Sequence, residues 1–292
     1  VRKDIATADF TVSEPSPRPL IENSKPEPLV FNFDYSVSKF EDLNKTLSKG
    51  LSLEPQIKGH WRWTNDSSLI FTPAEDWAVD TEYKVKFGKD LFSEFVRLEK
   101  YSHKFKTEAF EIEVVKKELY QDPVDPKIKK ISATLKANYP FDSKSLEDKI
   151  TLKLQSSKEN THFTATYDKF MGEAYIVSSN IDIPEKDTEM LITVEEGVKS
   201  SLGGNGAKDE VSSAVWVPGI YNFFRIANVY PSLVRNESYE PEQVLIIETS
   251  AGAKSEDIAK KLKVFELPKD NRDTKGALIS NYRWQTPAEV TP

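Results

Sequence analysis

The sequence predicts an all-β protein made of tandem β-sandwich domains. Three observations carry this reading. One hydrophobic spacing recurs at intervals of about one domain length, short alternating apolar segments lie between turn residues, and long amphipathic helical patterns are few.

The recurring spacing is i, i+4, i+6. It occurs at Leu47, Leu51 and Leu53, at Leu146, Ile150 and Leu152, and at Ile258, Leu262 and Val264. Leu47 and Leu146 are 99 residues apart, and Leu146 and Ile258 are 112 apart. An i, i+4 step is one helical turn and an i+2 step is strand alternation, so each unit is expected to carry a short helical turn that feeds a strand. Apolar segments precede each copy: Leu29–Phe33, Ile131–Leu135 and Val244–Ile247. They read as strands with one or both faces buried. A second repeat relates Asp80-Thr81-Glu82-Tyr83 to Asp187-Thr188-Glu189-Met190, 107 residues later. It continues as alternating Tyr83, Val85 and Phe87 against Met190, Ile192 and Val194, with Pro73 and Pro184 marking the turns before. Closing strands are expected near His103–Thr107 and Val215–Val217.

These repeats divide the chain into a first domain at 1–108 with an N-terminal lead-in, a second at 109–219, and a third at 220–292. The third has too few residues for a full sandwich and is expected to be incomplete. Ser13-Glu-Pro-Ser-Pro-Arg-Pro19 reads as a polar lead-in to the first domain. The first junction, Phe105 to Val114, has no glycine or serine run and alternates apolar residues, so strand should pass almost directly into strand. At the second junction, Ile220, Tyr221, Phe223 and Phe224 form an apolar cluster in need of cover.

Composition narrows the function. The 292 residues carry 47 acids and 40 bases, for a net charge of −7, with the bases dispersed. Nucleic-acid binding requires a clustered cationic face, so no nucleic-acid partner is expected. No stretch of 18 apolar residues exists, so no membrane contact is expected of this segment. The absence of cysteine excludes disulfides, thiolate metal sites, a cysteine nucleophile and a thioester within it. Val1 begins without an apolar signal region, which fits a cytosolic protein or a trimmed N-terminus.

No catalytic, cofactor-binding or metal-binding residue is assigned, and no cofactor is expected. His60, His103 and His162 lack metal-ligand spacing and are expected at the surface or at strand ends. Gly203-Gly204-Asn205-Gly206 lacks the lysine of a phosphate-binding loop and reads as a mobile hairpin tip. Asp122-Pro-Val-Asp125-Pro fits a proline-locked turn, with a calcium site as the alternative if Asp209, Glu210 or a neighbour supplies further oxygens. Trp61 and Trp63 share one strand face, opposite His60 and Arg62. With Trp77 they are expected in a core or at a domain junction, a sugar-stacking surface being the alternative. Asn44, Asn65 and Asn236 match the glycan acceptor pattern, which short motifs do by chance.

Gly59 to Trp77, Thr81-Glu82-Tyr83 and Phe105-Lys106-Thr107 resemble the N-terminal immunoglobulin-like domains of bacterial α2-macroglobulins. The resemblance extends through Tyr139-Pro140-Phe141-Asp142, the Leu146/Ile150/Leu152 copy and Gln285–Pro292. It implies macroglobulin-like, immunoglobulin-like modules in a large exported protease inhibitor. Such a protein is periplasmic and anchored through an N-terminal lipoprotein signal. Its partners would be proteases, engaged by the full-length protein, and other envelope proteins. The segment itself would be a structural scaffold and not an enzyme. One departure is Asp80, where the family pattern calls for glycine in the turn. A tandem immunoglobulin-like stalk of a surface adhesin or polymer-binding protein is the competing reading.

Overall fold

A computed structural model describes residues 5–266 and 288–290. The described residues are rich in strand with little helix, in antiparallel sheets with one short parallel strand pair, as the alternation predicts. The chain divides into two compact units. Among the described residues the first comprises 5–119, 130–181 and 188–217, and the second 120–129, 182–187, 218–266 and 288–290. Among the described residues no helix is long and apolar enough to cross a membrane.

The first unit contains two sandwiches. The leading one runs through β1 (Ala6–Ala8), β2 (Phe10–Ser13), β3 (Leu29–Phe33), β4 (Thr46–Leu47), β5 (Leu51–Glu54), β6 (Gly59–Asn65), β7 (Ser68–Pro73), β8 (Glu82–Phe87), β9 (Val96–Leu98) and β10 (Ser102–Lys106). Its two principal sheets have the orders β2-β3-β7-β6-β4 and β10-β8-β5, and β1 pairs with β9 in parallel. Period-2 alternation turns Phe31, Phe33, Trp61, Trp63 and Phe71 inward from one sheet and Leu53, Tyr83, Val85, Phe87 and Phe105 from the other. The core is unusually aromatic and packs by edges. Phe31 meets Phe87 at 5.0 Å and 87°, and Trp77 meets Tyr83 at 5.1 Å and 86°, the arrangement that ring quadrupoles favour. Trp77 also donates from Nε1 to the Glu27 carbonyl at 2.7 Å. All three tryptophans of this sandwich are therefore core residues, and His60 and Arg62 face solvent on the opposite side of β6.

The second sandwich follows through β11 (Ile112–Gln121), β12 (Lys129–Ala137), α1 (Ser143–Lys149), β13 (Ile150–Leu154), β14 (Phe163–Tyr167), β15 (Glu173–Ser178), β16 (Thr188–Val194) and β17 (Val211–Val217). The sheets are β11-β12-β15-β14 and β13-β16-β17. Here the i, i+4, i+6 spacing behaves as expected. Asp142 caps α1 by accepting from the Ser145 amide at 2.9 Å, Leu146 and Ile150 are buried one turn apart, and β13 continues from Ile150. On the outer face of β17, Trp216 is 57% exposed.

In the leading sandwich the same spacing has another cause. Leu47 lies in β4, opposite Trp61, and Leu51 begins β5 opposite Phe87. Between them the chain crosses from one sheet to the other through Gly50, at φ +81°. No helical turn forms, because a glycine in the left-handed region ends one strand and starts the next. Leu51 is consequently only half-buried, whereas Leu53 is in the core. The proline-rich run is also not a lead-in. β1 and β2 precede it, since Phe10 and Val12 alternate and pair with β3.

The second unit contains α2 (Ile220–Phe223), the hairpin of β18 (Ile226–Arg235) with β19 (Pro241–Thr249), α3 (Ser255–Ala259), and β20 (Val264–Glu266) paired with β21 (Ala288–Val290). The Leu262 amide donates to the Ile258 carbonyl at 2.9 Å, so the third copy is helical at its i, i+4 step. Apart from the β21 backbone, the Gln285–Pro292 stretch lies outside the described residues.

Ile150 and Leu51 are thus not equivalent. Ile150→Ala should lower stability by about 2–5 kcal/mol, the range for emptying a packed core site. Leu51→Ala should cost less than about 2 kcal/mol because the site already borders solvent. Urea denaturation of the two variants checks the ranking; equal losses would contradict it.

Candidate functional site: the junction between the two sandwiches

The chain between β10 and β11 is pinned to both sandwiches. Thr107 is buried; its hydroxyl donates to the Ala78 carbonyl at 2.6 Å and accepts from the Thr81 amide at 3.0 Å. The Asp80 amide donates to the Glu108 carbonyl at 2.7 Å. On the other side, Asn138 donates from Nδ2 to the Ala109 carbonyl at 2.8 Å and accepts from the Glu111 amide at 2.9 Å. The Tyr139 hydroxyl donates to the Glu108 carboxylate, and burial together with that carboxylate pushes the phenol well above its ordinary range. Phe110 is buried edge-on against Phe141 at 5.9 Å. The apolar alternation predicted that strand passes almost directly into strand; β10 ends at Lys106 and β11 begins at Ile112, and the short stretch between them is hydrogen-bonded on both sides.

The Gly203–Gly206 loop closes the junction from the second sandwich. The Val79 amide donates to the Gly203 carbonyl at 3.1 Å, and the Asn205 amide donates to the Val79 carbonyl at 3.3 Å. Gly204 sits at φ +92°, and a Cβ there would lie 1.9 Å from the Val79 carbonyl oxygen. The glycines therefore permit direct contact of backbone with backbone, and the loop is a docking element, not a mobile hairpin tip. Asn205 donates from Nδ2 to the Asp80 carbonyl at 2.7 Å and to its carboxylate at 3.3 Å.

Asp80 is the centre of this contact. Its φ of +44° lies in the left-handed region that glycine enters at least steric cost. Aspartate tolerates that conformation and adds a carboxylate that is 6% exposed, 2.7 Å from Lys106 of the first sandwich and 3.3 Å from Lys208 of the second. Lys106 holds the carboxyl below the usual aspartate range, and Lys208 and Asn205 add to this against the opposing effect of burial. One acid thus ties together a cation from each sandwich and an amide from the second. No local motif announces this set, because residues 125 positions apart in sequence meet here. The one available signal is the replacement of the expected glycine.

The remaining candidates do not converge. His60 and His162 are exposed, and His103 pairs with Glu14 at 2.8 Å. In the second unit, Asp122 Oδ1 accepts from the Val124 and Asp125 amides at 2.8 and 2.9 Å. Asp125 Oδ1 accepts from the Lys127 amide at 3.2 Å and lies 3.5 Å from Lys254. These contacts belong to a proline-locked turn. Among the described residues no group of three or more His, Asp or Glu side chains could hold a metal ion. Asn65 and Asn236 each accept from the amide two residues on, and Asn44 lies at φ +59°.

Fold and junction together define a chain of β-sandwich modules, the leading two interlocked through backbone and buried charge. Sequence comparison gives its kin. The chain is 28% identical over 265 residues to an alpha-2-macroglobulin of Rickettsia conorii, a match covering 85% of this chain and 14% of that protein. It is 28% identical over 258 residues to an alpha-2-macroglobulin homolog of Yersinia pestis, and 26% identical over 256 residues to an alpha-2-macroglobulin of Pasteurella multocida. Along more than four-fifths of its length the chain is similar to bacterial alpha-2-macroglobulins. It spans about one-seventh of the length of these curated relatives. No family model matches it.

Replacing Asp80 by Ala should cost about 1.5–3 kcal/mol, the range for hydrogen bonds to a charged group. Because the folded pKa is depressed, the carboxylate's contribution is complete above the unfolded aspartate value of about 3.9 and is lost as pH falls through the lower folded value. Urea titrations at pH 7 and pH 3 should therefore show a larger gap between wild type and Asp80→Ala at pH 7. An equal gap at both values would contradict the role given to the charge.

Proposed function

We propose that this chain is a structural scaffold segment of a bacterial alpha-2-macroglobulin-type endopeptidase inhibitor. The observation that carries the reading is the interlocked junction around Asp80 and Gly204, in a chain related along most of its length to alpha-2-macroglobulins. A trap that encloses a protease must hold distant parts in fixed relation, and a junction built from backbone contacts and a buried carboxylate resists bending. The modules proposed are 1–108, 109–219 and 220–292, each immunoglobulin-like and macroglobulin-like. The segment has no catalytic task of its own. Proteases are partners of the whole protein, which we place in the periplasm, anchored through a lipoprotein signal and in reach of other envelope proteins.

The test uses the full-length protein that contains this segment. Mixed with a protease in stoichiometric amounts, it should slow cleavage of a large protein substrate while leaving hydrolysis of a small peptide substrate nearly unchanged. The isolated 292-residue chain should do neither. Undiminished cleavage of the large substrate by the protease–protein mixture would overturn the reading.

A further inference from the structure

Residues 14–28, between β2 and β3, run over the surface of the leading sandwich and reach the second. Glu14 pairs with His103 at 2.8 Å, Pro15 and Pro17 are buried, and the Ser16 amide donates to Glu27 Oε2 at 3.0 Å. Arg18 pairs with Asp76 at 2.9 Å. The segment then crosses to the second sandwich. Leu20 packs over Gly172 so closely that a Cβ on Gly172 would lie 2.4 Å from Leu20 Cδ1, and Glu22 pairs with Lys169 at 2.6 Å. It returns to the first sandwich where the Glu27 carbonyl accepts from Trp77. One stretch of chain thus grips both sandwiches, independently of the Asp80 cluster.

The sequence of this stretch has a second property. Of the 40 lysines and arginines in the chain, Arg18 and Lys25 alone are followed by proline, and they are the only basic residues between Lys3 and Lys39. Proline has no amide hydrogen and a locked φ, so the Arg18–Pro19 and Lys25–Pro26 bonds are poor substrates for proteases that cut after basic residues. Lys25 and its neighbours Glu22, Asn23 and Glu27 are exposed, so burial alone does not protect the stretch.

We propose that residues 14–28 are a strap that locks the two sandwiches together through Leu20 on Gly172, and that its basic positions are built to withstand trypsin-like cleavage. The inference stands on the strap's own contacts and does not require the inhibitor reading.

Both halves are tested on the full chain. In limited trypsin digestion mapped by mass spectrometry, wild type should show no cut after Arg18 or Lys25 while other exposed lysines are cleaved, and Pro26→Ala should open a new site after Lys25. Wild-type cleavage after Arg18 or Lys25 at the rate of the other exposed sites would overturn the resistance, as would a Pro26→Ala chain that stays uncut there. For the lock, Gly172 does not have a positive φ, so Gly172→Ala clashes with Leu20 without straining its own backbone. Hydrogen exchange at the Val79 and Asn205 amides should speed up several-fold in Gly172→Ala and in Leu20→Ala. The double variant should exchange no faster than the faster single one, because one contact is lost in each case. Unchanged exchange in both single variants, or independent addition in the double, would overturn the lock.

Discussion

The backbone of Val79 meets the backbone of the Gly203–Gly206 loop, and Gly204 has no room for a side chain at the point of contact. Bonds between main-chain groups constrain direction as well as distance, so this approach sets how the second sandwich is presented to the first. The rest of the junction is arranged around it. Asp80 turns at positive φ directly after Val79, its carboxylate reaches Lys106 and Lys208, and Thr107 fills the space beneath by bonding to both sides of the same turn. Buried polar groups that are fully partnered specify one geometry, because any other leaves some of them without a partner.

The fold was legible because its signals are local. Strand alternation placed Trp61 and Trp63 inward, and the Tyr83/Val85/Phe87 and Met190/Ile192/Val194 repeat named two equivalent core strands. The i, i+4, i+6 pattern was right where Asp142 could cap a helix, and wrong where Gly50 broke the chain between sheets. Spacing alone does not distinguish a helical turn from two leucines at the ends of neighbouring strands. The junction was not legible. Asp80, Asn205 and Lys208 are far apart in sequence, and a glycine-rich loop has the same composition whether it is mobile or docked. The proline-rich run misled for a related reason: its composition suggests a linker, but Pro15 and Pro17 are buried.

The aspartate position recurs. Asp187, 107 residues after Asp80, stands at the same point before its strand. Within the second unit it accepts from the Gly219 amide at 2.7 Å and from Asn222 Nδ2 at 2.9 and 2.8 Å. The Gly219 amide, then Asn222, hold it below the usual carboxylate range. An aspartate that receives an asparagine amide is therefore used twice, with lysines added in the first instance only. Repetition of the module has carried with it the chemistry at its end as well as the pattern of its core.

The distribution of tryptophan makes the two sandwiches of the first unit optically distinct. Trp61, Trp63 and Trp77 are all sealed in the aromatic core of the leading sandwich, whereas Trp216 stands on the open face of the second. Indole emission shifts to longer wavelength as its surroundings become more polar. The blue side of the emission band therefore belongs to the leading sandwich, and Trp216 contributes on the red side. Loss of the leading core would move three emitters together, while melting of the second sandwich alone would change the spectrum little, since its tryptophan is already in water. The four tryptophans of the described residues thus report on one module of an interlocked pair and are nearly blind to the other.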